Sequence, residues 1–387
     1  MVKINFNQIF LFLLLFIFWI DPSDEIFNLK LTLTIFFFLY SLKVVNVPIL
    51  LLKESKFLLI FLLFIPVIYY LVGSILGINS QYSFQILKAF ILIFLFFPIV
   101  LLRIDFNKVY HYISLLISIL TICVFIFYVN SEGLRNLFIS ISRNYDFLDI
   151  DPSRSYGEYN FIQIYLVACP VLIYGMFMNL GKFKDSNNKK FLFYSLLYSL
   201  SLLLAGSRGN YLAVFIYILF FLYVIKNRYI NLVLYLILFY LIYESSQIIS
   251  EFFNPEEASN KTKIFTLYMY FKIINDPIHL LLGQGIAYSD QYIGSIRANS
   301  SITEFTQLEI IRYFGLIIGL CMNFLIVKYS IILSKNKSIK YEYKYGGFGF
   351  LVFYLMSFFN PIFLNSIGVP LLAGIINIYF QKIKGIK

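Results

Sequence analysis

Long apolar runs recur along this chain, and each has about the length of a helix that crosses a lipid bilayer. Such a helix needs ~20 predominantly apolar residues, with ~17 as a lower limit. Helices suit these runs because lipid offers no hydrogen-bond partner to the backbone, and a helix satisfies its own. The candidate spans cover about residues 4–20, 28–42, 57–76, 83–102, 109–129, 160–180, 191–206, 210–225, 230–249, 305–329, 346–362 and 366–381.

Composition indicates the same class of protein. Hydrophobic residues make up 60% of the chain and charged residues only 13%, against ~25% charged in soluble domains. We therefore expect an all-α, polytopic integral membrane protein, a single transmembrane domain over 1–387 with about 12 transmembrane helices. The first run has no small-residue cleavage site after it, so we interpret it as a retained span. The cysteines form no CxxC motif and no metal-ligand spacing occurs, so we expect no cofactor or metal.

The charged residues predict the orientation. If both termini share one side, most of the 31 lysines and arginines fall in short connections on that side. Most of the 20 acidic residues fall on the opposite side. Because cytoplasmic loops are enriched in Lys and Arg, we expect both termini in the cytoplasm. The net charge of +11 is then an orientation signal, and no nucleic-acid partner is expected.

Two connections on the predicted outer side are much longer than the others. They cover residues 130–159 and 250–303, and we interpret both as extracytoplasmic loops. No separate soluble domain is expected. Since binding and catalytic residues concentrate on loops held by a rigid scaffold, the outer face is the expected place of function.

Arginines on this outer side point to an anionic ligand. Arg208 interrupts two apolar runs in "LAGSRGNYLAV", and an arginine costs ~2.5–3.5 kcal/mol at the bilayer centre, less near its edge. A guanidinium matches phosphate oxygens two at a time. Convergence on the outer face would form a pyrophosphate clamp; the alternative is that Arg208 simply reaches the interface as a helix stop. The other candidates are Arg143 and Arg154 in the first loop, Arg297 in the second, and Arg312 early in the tenth span.

Four motifs occur in a characteristic order between about residues 154 and 320. The segments are "AGSRGNYLAVFIY" around Arg208; "RSYGEYN" with Arg154, Gly157 and Asn160; "DPIHLLLGQG" with Pro277, Gly283 and Gly285; and "FGLIIGL" with Gly315, Leu316, Ile317 and Gly319. Together they resemble the O-antigen polymerase and O-antigen ligase superfamily, in which a Ser-Arg-Gly signature joins two spans at the outer face.

The resemblance implies glycosyl transfer on lipid-linked sugars. Ligases of this superfamily typically have a His eleven residues before the Gly that corresponds to Gly315, where this chain has Glu304. This departure favours a polymerase, which moves a growing glycan from undecaprenyl pyrophosphate onto a lipid-linked repeat unit. The implied partners are that lipid-linked oligosaccharide, membrane lipid, a chain-length regulator and a flippase. The alternatives are an O-antigen ligase, or a flippase or other transporter, which the outer-side charge and the absence of repeated halves disfavour.

The residues then take specific expected roles. Arg154 and Arg208 would stabilise the departing pyrophosphate, with Arg297 or Arg312 as a third cation. Glu304 would act as the base for the acceptor hydroxyl, or would pair with Arg312 on one helix face. Glu309 and Arg312, three residues apart, are expected to pair with each other. Further candidates for substrate contact are Arg143, Asn160, Tyr156 and His279, although a single His in an apolar stretch is more often structural.

Overall fold

The computed structural model describes residues 5–21, 29–44, 49–76, 81–145, 147–156, 159–225, 232, 258–286, 305–358 and 363–386. Within these ranges the chain is mostly helical, as the all-α prediction requires. Nearly all of the predicted span 230–249 lies outside the described residues, as do Arg297 and Glu304.

Most helices follow the predicted apolar runs, but the predicted span 305–329 is divided at Gly315 (φ 82°) into two helices, Thr306–Phe314 and Leu316–Lys335. The helices are numbered in chain order. In the first half they are α1 (Phe6–Ile20), α2 (Lys30–Val44), α3 (Ile49–Leu59), α4 (Ile65–Ile75), α5 (Gln81–Leu92), α6 (Phe96–Leu101), α7 (Phe106–Asn130) and α8 (Glu132–Asn144). In the second half they are α9 (Leu172–Ser186), α10 (Lys189–Leu204), α11 (Arg208–Val224), α12 (Ala258–Ile274), α13 (Pro277–Leu282), α14 (Thr306–Phe314), α15 (Leu316–Lys335), α16 (Tyr341–Met356) and α17 (Val369–Lys382).

Four helices in the described part of the chain are long and apolar enough to cross a membrane. They are Ile49–Ile75, which joins α3 and α4 through a π-helical stretch, Ser83–Leu101, Phe106–Asn130 and Leu316–Lys335. At 1.5 Å per residue the longest of these, 27 residues, extends ~40 Å. Two shorter apolar helices, Phe6–Ile20 and Arg208–Val224, accompany them. The chain is thus a membrane protein, and a total of 12 spans stays a prediction.

A β-hairpin lies where the sequence predicts the start of a span. Strand β1 (Leu148–Tyr156) pairs antiparallel with β2 (Tyr159–Leu166), so the predicted span 160–180 is not one helix. Ile162 and Ile164 alternate with polar or aromatic neighbours at the period of a strand. A short 3₁₀ turn at Cys169–Val171 then leads into α9. The predicted loop 130–159 likewise contains helix α8 as well as β1.

Helix α9 is the centre of the bundle. Every residue from Leu172 to Gly181 is buried, and the helix packs against α10 on one side and α16 on the other. Glycines of α16 face the large side chains of α9, with Gly346 beside Tyr174 and Gly349 beside Phe177. Small residues of this kind let transmembrane helices approach closely, which strengthens van der Waals packing.

Charged residues from several predicted inner connections meet at one end of this bundle. Glu342 accepts a hydrogen bond from Asn107 Nδ2 at 2.9 Å and pairs with Lys182 at 3.4 Å. Lys384 pairs with Glu54 at 2.9 Å, and this hydrogen bond raises the pKa of the lysine. The segments that the positive-inside pattern assigns to one side are therefore neighbours in the fold.

Candidate functional site

The junction that carries Arg208 is a sharp turn between two helices. Helix α10 ends at Leu204, and Gly206 turns the chain with a φ of 67°. Ser207 then caps α11, its Oγ accepting from the Asn210 backbone N–H at 3.2 Å. A serine in this position satisfies one of the free N–H groups at a helix start. Arg208 is thus the first residue of α11, at the positive end of the helix dipole.

Arg208 reaches helix α12, which lies within the region 250–303 that the sequence predicted to be a loop. Its Nη1 donates to Asn260 Oδ1 at 2.6 Å, and Asn260 lies in the first turn of α12. Arg208 itself is half-buried. The contact joins residues 52 positions apart, and sequence reasoning missed Asn260 because no local pattern marks it.

Arg312 has a different environment. Its Nε and Nη2 both donate to Glu309 Oε2, at 2.9 and 2.7 Å, and the second carboxylate oxygen accepts from Tyr270 Oη at 2.6 Å. Glu309 is 0% exposed and Arg312 3% exposed. The predicted pairing of Glu309 with Arg312 is confirmed. Because the pair occupies two donor groups of the guanidinium, this position favours a supporting role, and substrate binding by Arg312 stays a prediction.

Helix α12 connects the two arginines. Asn260 near its start contacts Arg208, whereas Tyr270 near its end contacts Glu309, the partner of Arg312. Ten residues separate these two contacts, which corresponds to ~15 Å along a helix. The two α12 residues that take part in these contacts are therefore about three helical turns apart.

Two glycine motifs of the sequence meet directly. Gly283 and Gly315 have φ values of 74° and 82°, which an L side chain rarely adopts. A Cβ on Gly315 would overlap the Leu281 carbonyl oxygen, and one on Gly283 would lie 2.5 Å from the Gly315 nitrogen. Both positions therefore require glycine for close approach of the two backbones.

Hydrogen bonds fix this glycine contact. The backbone N–H of Gln284 donates to Arg312 O at 2.7 Å, and that of Gly285 donates to Tyr313 O at 3.0 Å. Tyr69 Oη of α4 donates to Leu282 O at 2.7 Å. The segment after α13 is thus attached to the C-terminal turn of α14, a contact that the separate motifs did not reveal.

The hairpin carries three of the predicted residues. In its register Arg154 lies opposite Phe161, Ser155 opposite Asn160, and Tyr156 opposite Tyr159 at the turn. Strand β2 packs against α7 and against α10, the helix that leads to Arg208. Arg154, Tyr156 and Asn160 are therefore near the turn of a hairpin whose second strand, β2, packs against the bundle.

Arg143 and His279 are the remaining predicted residues in the described ranges. Arg143 is exposed in the last turn of α8. His279 Nδ1 lies 3.0 Å from Asp276 Oδ2, with 37% of the His side chain exposed. Asp276 also caps α13 by accepting from the Ile278 N–H, so this pair is local to one short helix. Within the described ranges no cluster of three or more His, Cys, Asp or Glu residues could hold a metal ion.

Comparison of the chain with protein-family models, with curated proteins and with solved structures gives no match.

Proposed function

We propose that this protein is a polysaccharide polymerase, a metal-independent glycosyltransferase of a bacterial inner membrane with about 12 spans and cytoplasmic termini. Its donor is a glycan chain on undecaprenyl pyrophosphate, and its acceptor is a lipid-linked repeat unit at the periplasmic face. The product belongs to the O-antigen or capsule class. Arg208 and Arg154 bind the pyrophosphate, and Glu304 takes the proton from the acceptor hydroxyl.

The position of Arg208 carries this proposal. The guanidinium lies at the first residue of α11 and is oriented by Asn260 of α12. Helix N-termini attract anions through free N–H groups and the helix dipole. Cleavage of the anomeric bond leaves negative charge on the pyrophosphate. A cation placed beforehand at that charge lowers the barrier, because its attraction grows toward the transition state.

The Glu309–Arg312 pair supports the proposal of Glu304 as the base, because the pair stabilises helix α14, which begins shortly after Glu304 in the sequence. Glu304 directly precedes Phe305, which is 3% exposed and packs on Tyr270 and Phe358. Helix α14, which begins at the next residue, is fastened by the buried ion pair and by the glycine contact. A catalytic carboxylate needs such a rigid support to keep its geometry. Glu304 itself lies outside the described residues, and it is proposed as the base because it directly precedes this fixed segment in the sequence.

The test is lipid-linked glycan profiling in a strain that lacks the chromosomal copy and carries Arg208→Ala or Arg154→Ala. We expect normal protein levels in the membrane, a loss of long glycan by about 100-fold or more, as for removal of one transition-state donor, and single repeat units on the carrier. Arg135→Ala is the matched control, because Arg135 is an arginine of the predicted loop 130–159 that donates to two carbonyls at the end of α7, at 3.2 and 3.3 Å.

Other outcomes separate the alternatives. Wild-type chain lengths in both arginine variants would overturn the proposal. A complete ladder trapped on the carrier lipid in the deletion strain would indicate a ligase. Repeat units that stay in the cytoplasmic leaflet would indicate a flippase.

A further inference from the structure

A groove of about 490 Å³ runs between α1 and α7. It is lined by Gln8 and Phe12 of α1 and by Lys108, Tyr112, Leu115 and Ile119 of α7, among others. This volume is within the ~300–1,000 Å³ of ordinary ligand pockets. The groove is separate from Arg208 and from the hairpin, and the proposed reaction does not use it.

The groove has one charged end and an otherwise apolar length. Lys108 lies in the first turn of α7, where its backbone N–H donates to the capping Asp105 at 3.2 Å. Its ammonium makes no salt bridge to another residue in the described part of the chain. Leu115 and Ile119 lie further along the same face of α7, at helical spacing. A ligand that fits would combine a negative group with a long apolar tail.

The length of the groove matches one leaflet of a bilayer. Lys108 and Ile119 are 11 residues apart on a continuous helix, which corresponds to ~16 Å. Half of the hydrocarbon core of a bilayer is ~15 Å thick. A lipid with its phosphate at Lys108 would therefore have its acyl chain along Tyr112, Leu115 and Ile119. Helix α7 is long and apolar enough to cross the membrane, and a span along α7 would place these side chains at the depth of lipid tails.

We propose that this groove binds one anionic phospholipid from the leaflet on the Lys108 side. The ammonium selects a headgroup with net negative charge over a zwitterionic one, and the apolar face of α7 holds the chain. Basic positions at the ends of transmembrane helices interact with anionic lipids in this way, at ~1 kcal/mol per lysine.

Native mass spectrometry of the purified full-length protein tests this inference. The protein is equilibrated with equal amounts of phosphatidylglycerol and phosphatidylcholine of different mass. The proteins that carry a single bound lipid molecule are then quantified for each lipid. We expect phosphatidylglycerol to exceed phosphatidylcholine about fivefold, the ratio that corresponds to ~1 kcal/mol. Lys108→Gln should bring the ratio near one, whereas Lys108→Arg should retain the preference.

Two further variants distinguish a site from general surface charge. Lys43 is an exposed lysine at the end of α2 that does not line the groove, so Lys43→Gln should leave the ratio unchanged. Leu115→Phe fills the groove and should reduce adducts of both lipids. A wild-type ratio near one, equal effects of the two lysine variants, or a Leu115→Phe protein that keeps its adducts would each overturn the inference.

Discussion

Arg208 and Arg312 both lie near predicted outer ends of apolar segments, but they differ in burial and in their hydrogen-bond partners. Arg312 is buried and donates twice to one oxygen of the fully buried Glu309. Arg208 is half-buried and donates to the side-chain amide of Asn260. A hydrogen bond between a guanidinium and a carboxylate is charged on both sides, whereas one to an amide oxygen is charged only on the donor side. The buried carboxylate partner therefore fixes Arg312 in the support of α14, whereas the hydrogen bond of Arg208 to Asn260 joins it to the start of α12, a different helix.

Glu309→Ala, which removes the carboxylate partner of Arg312, should have the largest effect on stability. Glu309→Ala leaves a buried guanidinium without its carboxylate, which costs ~3–5 kcal/mol. We expect a large fall in melting temperature in detergent, with most of the protein lost from the membrane fraction.

The double variant Glu309→Leu/Arg312→Met is the control for charge. Replacement of both members of a buried pair by apolar residues is often neutral, so we expect most of the stability to return. A double variant as unstable as Glu309→Ala would show that the role of the pair is not electrostatic.

The glycine contact beneath Arg312 gives the next largest effect. Gly315 and Gly285 both have positive φ, at 82° and 84°, so alanine strains both backbones by ~1–2 kcal/mol. A Cβ at Gly315 also meets backbone atoms, whereas one at Gly285 meets nothing within 4 Å. We expect the free energy of unfolding of Gly315→Ala to be lower than that of Gly285→Ala by roughly 1–3 kcal/mol, the usual cost of overpacking. Equal melting temperatures would refute the close contact of the two motifs.

Asn260→Ala should have the smallest effect, and it tests whether the hydrogen bond to Arg208 contributes to chain extension. The substitution removes a hydrogen bond that orients Arg208 but keeps the charge, so fold and membrane level should stay near wild type. We expect chain extension to fall about tenfold, since a hydrogen bond to a charged group contributes ~1.5 kcal/mol or more. Gln at this position provides a longer amide and should recover part of the activity. An unaltered extension rate in Asn260→Ala would separate Asn260 from function.

The sequence predicted the helices well where apolar runs and charged connections alternate. The pairing of Glu309 with Arg312 was also predictable, because residues three apart share a helix face. The hairpin was not predicted, since the apolar residues 160–166 merge with those of α9 and hydropathy alone does not distinguish a strand from a helix. The Arg208–Asn260 and Gly283–Gly315 contacts were beyond prediction, because they join segments that are distant along the chain.

Chain extension by the purified protein in proteoliposomes is the most direct test of the proposed role of Arg208 in pyrophosphate binding. Wild type, Arg208→Ala, Arg208→Lys and Arg135→Ala are supplied with lipid-linked repeat units, after their melting temperatures have been compared. We expect no long chains from Arg208→Ala. We expect strongly reduced extension from Arg208→Lys, because a lysine cannot bind two phosphate oxygens at once as a guanidinium does. Arg135→Ala should behave as wild type. A folded Arg208→Ala protein that extends chains at the wild-type rate would show that Arg208 does not bind the pyrophosphate.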